Sequence, residues 1–328
     1  MTESRTADTA RAGAIASVSL DRPLDDIADE LGRSFAEFGF GVIRDHGIDA
    51  GLIARAEEMS KAFFALPDAT KRAYKIEGGG GARGYTPFGT EKAKDAKVHD
   101  LKEFWHVGRD LPEGHALSDF MAPNIWPSEV DGFRETFEDL YAAFEMAGAR
   151  VLKAIALHLG LERDFFEPTI ADGNSVMRLL HYPPMDSADA EGAIRAAAHG
   201  DINTITLLLG AEEAGLELLT KQGEWLAVDP PAGALVVNIG DMLERLTAGR
   251  LRSTTHRVVN PRGEAAGRAR YSMPFFLHFR PDYLIDPASL AAASYSESGA
   301  GIAADSASYT PITAHDFLMQ RLREINLA

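Results

Sequence analysis

The second half of the chain alternates short apolar runs with turn residues, and this alternation strongly limits the possible folds. After about residue 174, each run is short enough for a single β-strand, and prolines, glycines and asparagines separate the runs. Many short strands at such spacing are typical of a jelly roll or a barrel. We therefore predict a mainly β protein with a double-stranded β-helix core. The predicted strands cover residues 175–181, 196–209, 216–219, 234–238, 254–259 and 270–279.

The first half of the chain has apolar residues at helical spacing instead. We expect these helices to pack on the outer face of the β core, and only one short strand, 40–43, is predicted among them. The predicted helices cover residues 25–38, 50–66 and 133–159, and a final helix covers 314–326.

The length of 328 residues suits one large domain. We expect a single structural domain with three regions. These are a mostly helical region (1–173), the jelly-roll core (174–285) and a C-terminal loop and helix (286–328).

Charge and cysteine content exclude several classes of function. The net charge of −16 repels phosphate backbones, so nucleic acid is not an expected partner. The chain has no cysteine, which excludes disulfides and cysteine-ligated metal centres and fits a reducing compartment. No signal peptide and no apolar stretch of about 18 residues is found. We therefore predict a cytoplasmic protein with no membrane partner.

His199 and Asp201 lie two positions apart within the predicted strand 196–209. On one strand, both side chains would point to the same face. An imidazole and a carboxylate side by side need one more histidine to form the two-histidine-one-carboxylate face that suits non-haem Fe(II). The pair alone is a weak indication, because such short motifs recur by chance.

His256 is the candidate third ligand, and it follows Asp201 by 55 positions in another predicted strand. In a jelly roll, strands that far apart in sequence can lie side by side. Arg270 and Ser272 follow on the next predicted strand and share a face. A buried arginine can hold a carboxylate through two parallel hydrogen bonds, and a serine hydroxyl can add a third. Pro274 predicts a bulge or a sheet edge just beyond them.

The order of these motifs resembles that of the iron(II)- and 2-oxoglutarate-dependent oxygenases, and more narrowly their isopenicillin N synthase-like branch. The resemblance rests on H-x-D, then S-x-x-H-R, then R-x-S, in that order. Further segments similar to those of the branch are 38–47 (FGFGVIRDHG), 100–104 (DLKEF), 182–184 (YPP) and 242–250 (MLERLTAGR).

The resemblance implies a role for each matching residue. His199, Asp201 and His256 would bind iron, while Arg270, Ser272 and Tyr182 would hold the distal carboxylate of 2-oxoglutarate. The reaction would consume dioxygen, release succinate and CO₂, and oxidise a C–H bond of a small molecule, most simply by hydroxylation. One departure is Leu180, since many plant members have asparagine two residues before the tyrosine.

Other functions compete with this prediction. Isopenicillin N synthase-type oxidases use the same R-x-S to hold a substrate and consume no 2-oxoglutarate. A non-catalytic metal-binding jelly roll and, more weakly, a zinc hydrolase are further alternatives. We also predict that the segments 83–88 and 104–106 border the pocket, with Arg83, Tyr85 and Phe104 as candidate substrate contacts. We predict structural roles for His46, His106, His181 and His278.

Overall fold

The structure, a computed structural model, describes residues 14–77, 82–90, 102–184, 195–209, 215–260, 268–294 and 309–324. The glycine run 78–81 lies outside these residues. Among the described residues, no helix is both long enough and apolar enough to cross a bilayer. The helices are α1 (Leu24–Phe38), α2 (Ala50–Phe64), α3 (Asp68–Arg72), α4 (Phe133–His158), α5 (Glu167–Ile170), α6 (Asp241–Leu246), α7 (Pro287–Ala293) and α8 (Ala314–Glu324).

The strands form two main sheets in the described part of the chain. The large sheet has the order β1-β2-β10-β7-β12-β5-β4-β3, and the small sheet has the order β6-β11-β8-β9. A short pair, β13 with β14, lies apart from both. The strands are β1 (Ser17–Ser19), β2 (Phe40–Arg44), β3 (Gly84–Thr86), β4 (Glu103–Gly108), β5 (Val176–Tyr182), β6 (Ala196–His199), β7 (Ile205–Leu209), β8 (Leu216–Leu219), β9 (Trp225–Ala227), β10 (Leu235–Ile239), β11 (His256–Val258), β12 (Arg270–Leu277), β13 (Leu284–Ile285) and β14 (Ile312–Thr313).

Side chains of the large sheet alternate between two faces. One face packs on the helices: the ring of Phe275 stacks on Phe144 of α4 at 5.2 Å, and Trp105 lies in the same core. We call it the helix-covered face. The other face, which we call the inner face, carries Phe104, Leu180 and Tyr182.

The inner face of the large sheet packs against the small sheet. Phe40 and Val236 of the large sheet share an apolar cluster with Leu216 and Leu218 of the small sheet. Two mainly antiparallel sheets that pack face to face, with helices on the outside of one of them, form the predicted double-stranded β-helix; only β1 and β2 pair in parallel among the described strands of these two sheets. This confirms the predicted fold class.

The region before residue 173 contains more strand than its sequence indicates. Strands β1 and β2 extend one edge of the large sheet, and β4 and β3 extend the other. All six residues of β4, EFWHVG, are buried although two of them are Glu103 and His106. Polar residues in a buried strand remove the apolar periodicity on which the sequence prediction depends.

Two local predictions for the β core are wrong. The run 196–209 is not one strand, because the polar segment 200–204 ends β6 and leads to β7 in the other sheet. Pro274 causes neither a bulge nor an edge: it pairs with Leu208, and β12 keeps one register with β7. On the β5 side, Ser272↔Leu180 and Phe275↔Met177 also keep one register.

Candidate metal and cosubstrate site

His199, Asp201 and His256 converge, although they lie on different elements. His199 is the last residue of β6 and His256 the first residue of β11, and the two are direct partners in the antiparallel pairing of these strands. Asp201 lies in the following loop rather than on the strand, so the same-face argument for it is wrong. One ligand atom from each side chain lies within 4.8 Å of the others.

The two imidazoles are oriented to offer Nε2. His199 Nδ1 lies 2.7 Å from the carbonyl oxygen of Ala197, and His256 Nδ1 lies 3.0 Å from that of Thr254. A carbonyl only accepts, so each Nδ1 is the donor, and in the neutral ring Nε2 is then the nitrogen that offers a lone pair. Both Nε2 atoms lie 3.8 Å from a carboxylate oxygen of Asp201. This donor set, with its second nitrogens fixed by the backbone, fits a divalent iron ion.

The loop that carries Asp201 is held by the start of α6. The backbone N–H of Asp241 donates to the carbonyl oxygen of Asp201 at 2.8 Å. Gly240 permits this approach, since a Cβ there would lie 2.1 Å from the carbonyl oxygen of Asn203. Oδ2 of Asp201 accepts hydrogen bonds from Thr206 at 2.6 Å and from Asn238 at 2.8 Å. These contacts come from β7 and β10 and orient the carboxylate.

The local electrostatics favour the protonation states of His199 and Asp201 that metal binding requires. The surrounding protein and the neighbouring ring of His256 lower the pKa of His199 to about 4, so this imidazole is neutral at pH 7. Its side chain is still 43% exposed, which leaves one edge open to a ligand. Burial alone would raise the pKa of Asp201. The two histidines and the hydrogen bonds from Thr206 and Asn238 outweigh burial and lower that pKa.

Arg270, Ser272 and Tyr182 lie on the inner face of neighbouring strands. Arg270 pairs directly with Tyr182 across β12 and β5, and each of the three residues is at least 90% buried. The guanidinium of Arg270 reaches the small sheet, where its Nη1 lies 3.6 Å from the Cβ position of Gly215. The three side chains therefore occupy the interior between the sheets, as a buried carboxylate clamp requires.

The three predicted substrate contacts lie in different parts of the structure. Phe104 lies on the inner face in one cluster with Leu180 and Tyr182. Tyr85 lies on the helix-covered face, where its ring packs on Phe63 and its hydroxyl donates to Glu103. Its placement there corrects the prediction that Tyr85 borders the pocket, because its hydroxyl is committed to a structural hydrogen bond. Arg83 is 3% exposed and lies at the edge of β4.

Two histidines that we predicted to be structural lie near the site. His106 accepts a hydrogen bond from Nε of Arg178 at 2.6 Å on the inner face. His278 is buried, and burial lowers its pKa to about 4 against the opposing charge of Asp201. The alternation of side chains from Ser272 along β12 could have placed His278 on this face. By contrast, His46 is a turn residue whose Nε2 bonds to the carbonyl of Gly233.

Arg195 is a functional candidate that the sequence analysis missed. It is completely buried, and its guanidinium lies 5.8 Å from the ring centroid of Tyr182. Its backbone N–H donates to the side chain of Asn260. No sequence motif marked it, since it precedes the apolar run 196–209 by one residue.

Comparisons with known proteins agree with this site. A family model described as 2OG-Fe(II) oxygenase superfamily matches residues 173–279, and one described as non-haem dioxygenase in morphine synthesis N-terminal matches residues 14–129. A 2-oxoglutarate-Fe(II) type oxidoreductase of Aspergillus fumigatus is 36% identical over 76% of this chain and 75% of its own length.

Solved structures show the same fold. A Caulobacter crescentus protein assigned to the 2OG-Fe(II) oxygenase family is 52% identical, with a TM-score of 0.84 over 95% of this chain and 99% of that one. A full-length Neurospora crassa protein, solved in complex with alpha-KG and thymine, is 26% identical, with a TM-score of 0.81 over 94% and 96%. This chain therefore belongs to the 2OG-Fe(II) oxygenase superfamily and is an Fe(II)- and 2-oxoglutarate-dependent dioxygenase.

Proposed function

We propose that His199, Asp201 and His256 are the iron ligands of this dioxygenase. The observation that carries the proposal is their convergence within 4.8 Å, with both Nδ1 atoms bonded to backbone carbonyls. The backbone contacts hold both rings with Nε2 toward Asp201. Thr206 and Asn238 hold the carboxylate of Asp201 in turn.

Arg270, Ser272 and Tyr182 would bind the distal carboxylate of 2-oxoglutarate. Arg270 supplies a fixed positive charge and a planar pair of N–H donors, and the two hydroxyls add further hydrogen bonds. Their burial excludes water from this carboxylate and strengthens each interaction. Leu180 lies beside Tyr182 on the inner face, where it offers apolar contact in place of the amide found in many plant relatives.

The chemistry requires iron, because the bound metal supplies the redox steps that couple 2-oxoglutarate, dioxygen and the substrate. We propose hydroxylation as the outcome. The substrate C–H becomes C–OH with one oxygen atom of O₂, and 2-oxoglutarate takes the other atom as it loses CO₂ to become succinate. Arg270, Ser272 and Tyr182 would hold the distal end of the cosubstrate, and the exposed edge of His199 would face the substrate.

The primary substrate is a small molecule. The Neurospora crassa protein is described in complex with thymine, which supports this class of substrate. A cytoplasmic location and the absence of nucleic acid and membrane partners stay predictions. The division into regions 1–173, 174–285 and 286–328 of one domain also stays a prediction. Strands from the first region lie in the same sheet as the core strands, which supports a single domain but not a boundary between these regions.

Two measurements test the residue roles. The first is anaerobic titration of the metal-free protein with Fe(II) and then 2-oxoglutarate. We expect the weak visible charge-transfer band of a chelated keto acid in the wild type, no band in His199→Ala, and a weaker affinity for 2-oxoglutarate in Arg270→Ala.

The second measurement is succinate formation from 2-oxoglutarate with iron, ascorbate and oxygen. A wild-type protein that forms no succinate but oxidises a compound whose own carboxylate needs Arg270 would support the isopenicillin N synthase-type alternative instead.

A further inference from the structure

Arg83 carries a buried guanidinium whose hydrogen bonds are incomplete. Its Nη1 donates to the carbonyl oxygen of Ala82 at 2.7 Å. Its Nε and Nη2 are also buried, and neither has a hydrogen-bond partner in the described part of the chain. Burial lowers the pKa of Arg83, and Asp110 and Tyr141 oppose this shift only in part. A buried cation with two unsatisfied donors is costly, so its retention requires an explanation.

Gly108 shows which face of the sheet the guanidinium occupies. A Cβ on Gly108 would lie 1.9 Å from Cζ of Arg83, so the guanidinium fills the place of that missing side chain. Positions 104, 106 and 108 of β4 share one face. Phe104 lies in the inner-face cluster with Tyr182. The guanidinium of Arg83 therefore lies on the inner face as well.

One row of paired residues connects this position with the iron ligands. Thr206 pairs with Phe276, Phe276 with Val176, and Val176 with Gly108 across β7, β12, β5 and β4. Thr206 donates to Asp201 at one end of the row, and Arg83 covers Gly108 at the other. Three strand spacings separate the ends, which corresponds to about 14 Å.

The row has the features of a binding surface. Val176 and Phe276 are partly exposed although both lie on the inner face of a buried sheet. Beside the row, the guanidinium of Arg178 lies 5.5 Å from the ring centroid of Phe276 and 4.2 Å from that of Phe104. An apolar floor with cationic groups at its far end suits a molecule with an apolar body and an anionic group.

We propose that Arg83 binds a carboxylate of the primary substrate through Nε–H and Nη2–H, at the end of the site opposite the iron ligands. These two N–H groups lie on one edge of the guanidinium, which is the edge that matches the two oxygens of a carboxylate. The inference rests on the proposed function, because the reacting C–H bond is placed by the iron ligands. It adds the class of substrate: an acid whose carboxylate lies on the order of 10 Å from the oxidised carbon.

The kinetic test uses paired probes. Succinate release by the wild type is measured with a panel of aliphatic and aryl carboxylic acids and with the primary amide of each acid. We expect at least one acid to stimulate succinate release with a half-saturating concentration at least about 10-fold below that of its amide, the range for one charge-assisted hydrogen-bonded pair. Arg83→Lys should raise that concentration about 10-fold or more, because an ammonium cannot make the bidentate contact. The half-saturating concentration of 2-oxoglutarate should stay within about twofold in this variant.

A stability test needs no substrate. Arg109 is the matched control: it lies one residue after Gly108 and has its partners, since Nε donates to Gly173 and Nη2 pairs with Glu145. We expect Arg83→Met to keep or raise the melting temperature of the substrate-free protein, because it removes an unsatisfied buried charge. Arg109→Met should lower it, because Glu145 would lose its partner.

Several outcomes would overturn the inference. One is that each acid and its amide have equal half-saturating concentrations for succinate release, or that no acid stimulates this release. Another is an Arg83→Lys variant that weakens acid and amide alike. A third is an Arg83→Met variant that loses as much stability as Arg109→Met, which would make the guanidinium structural. A failure of the proposed function would give a different result: the wild type would form no succinate from 2-oxoglutarate, either with or without an added acid or amide.

Discussion

Two clusters of titratable groups lie on opposite sides of the large sheet, and they differ in how many of their polar atoms have hydrogen-bond partners. His199, Asp201 and His256 lie on the inner side, and the network of Lys71, Tyr85, Glu103 and His181 lies on the helix-covered side. Glu103 and Phe104 are neighbours on β4, yet one points to the helices and the other to the interior. Different strands support the two clusters: β3, β4 and β5 carry side chains of the network, whereas β6 and β11 carry the two histidines.

The cluster on the helix-covered side is closed. Nζ of Lys71 donates to both carboxylate oxygens of Glu103, at 2.7 and 2.9 Å, and to the carbonyl of Phe64. Tyr85 donates to the same carboxylate, and Nδ1 of His181 lies 2.7 Å from it. Hydrogen bonds inside the protein therefore offset much of the cost of burying these charges.

The cluster on the inner side is open. The two Nε2 atoms face a carboxylate at 3.8 Å, which is too far for hydrogen bonds and suits a shared ion. The comparison predicts that the closed cluster is structural and that the open cluster holds a ligand. Four predictions test this difference, in order of decreasing expected effect.

The largest effect should follow from Asp201→Asn. The amide keeps its size and can still accept hydrogen bonds from Thr206 and Asn238, but it has lost the negative charge that attracts the metal. We expect Fe(II) affinity to fall by well over the roughly 100-fold that loss of an outer partner causes. Metal titration followed by tryptophan fluorescence or calorimetry checks this. The melting temperature of the metal-free variant should stay close to that of the wild type, and a large loss there would mean that the open cluster is structural.

The next effect should follow from Glu103→Ala, which breaks the closed cluster. Lys71 would keep a buried charge without its partner, so we expect the free energy of unfolding to fall by about 3–5 kcal/mol. Denaturant titration measures it, and Fe(II) affinity should not change.

The double variant K71M/E103L is the control for this prediction. It replaces the pair with apolar groups and should recover most of the lost stability. The pKa of Glu103 is lowered: hydrogen bonds from His181, Lys71 and Tyr85 outweigh the effect of burial. The ionised Glu103 therefore stabilises the folded protein fully above pH 4.5, the ordinary carboxyl pKa. This stabilisation is lost as the pH falls through the lower pKa that Glu103 has in the folded protein. A difference between wild type and Glu103→Ala that grew at acid pH would contradict this prediction.

A smaller effect is expected from Arg270→Ala. Loss of the clamp should raise the half-saturating concentration of 2-oxoglutarate by about 100-fold, which corresponds to about 2.7 kcal/mol. Arg270→Lys should also weaken binding, because an ammonium cannot make the bidentate contact. Arg257→Ala is a suitable control, since Arg257 pairs with Glu217 on the small sheet and stacks on Trp225. Equal effects of the two alanine variants would exclude a specific clamp.

The smallest effect should follow from Thr206→Val, which removes one hydrogen bond to Asp201. We expect Fe(II) affinity to fall about 10-fold, as for other outer partners of metal ligands. Thr204→Val is a matched control, because Thr204 is equally buried and its Oγ1 has no hydrogen-bond partner in the described part of the chain. It should leave the affinity unchanged. If both variants lose affinity alike, packing rather than the hydrogen bond orients Asp201.

The sequence alone predicts much of the fold, because the spacing of apolar residues along the chain indicates where helices and strands form. Helix α4 is predicted as 133–159 and found as Phe133–His158, since its apolar spacing is regular over seven turns. Strand β8 is found at its predicted bounds. The sequence does not predict strand β4, because its polar residues Glu103 and His106 interrupt the apolar pattern. Both are buried with hydrogen-bond partners that are distant in sequence, namely Lys71 and Arg178.

The sequence by itself determined which chemical groups are available and in what order: H-x-D, a distal histidine and R-x-S. Only the tertiary structure decided how they meet. His199 and His256 become neighbours through the pairing of β6 with β11, and Asp201 joins them because the start of α6 holds its loop. The incomplete hydrogen bonding of Arg83 is likewise visible only in the folded chain. The physical reason is that register and loop closure depend on contacts between distant segments, which no local preference specifies.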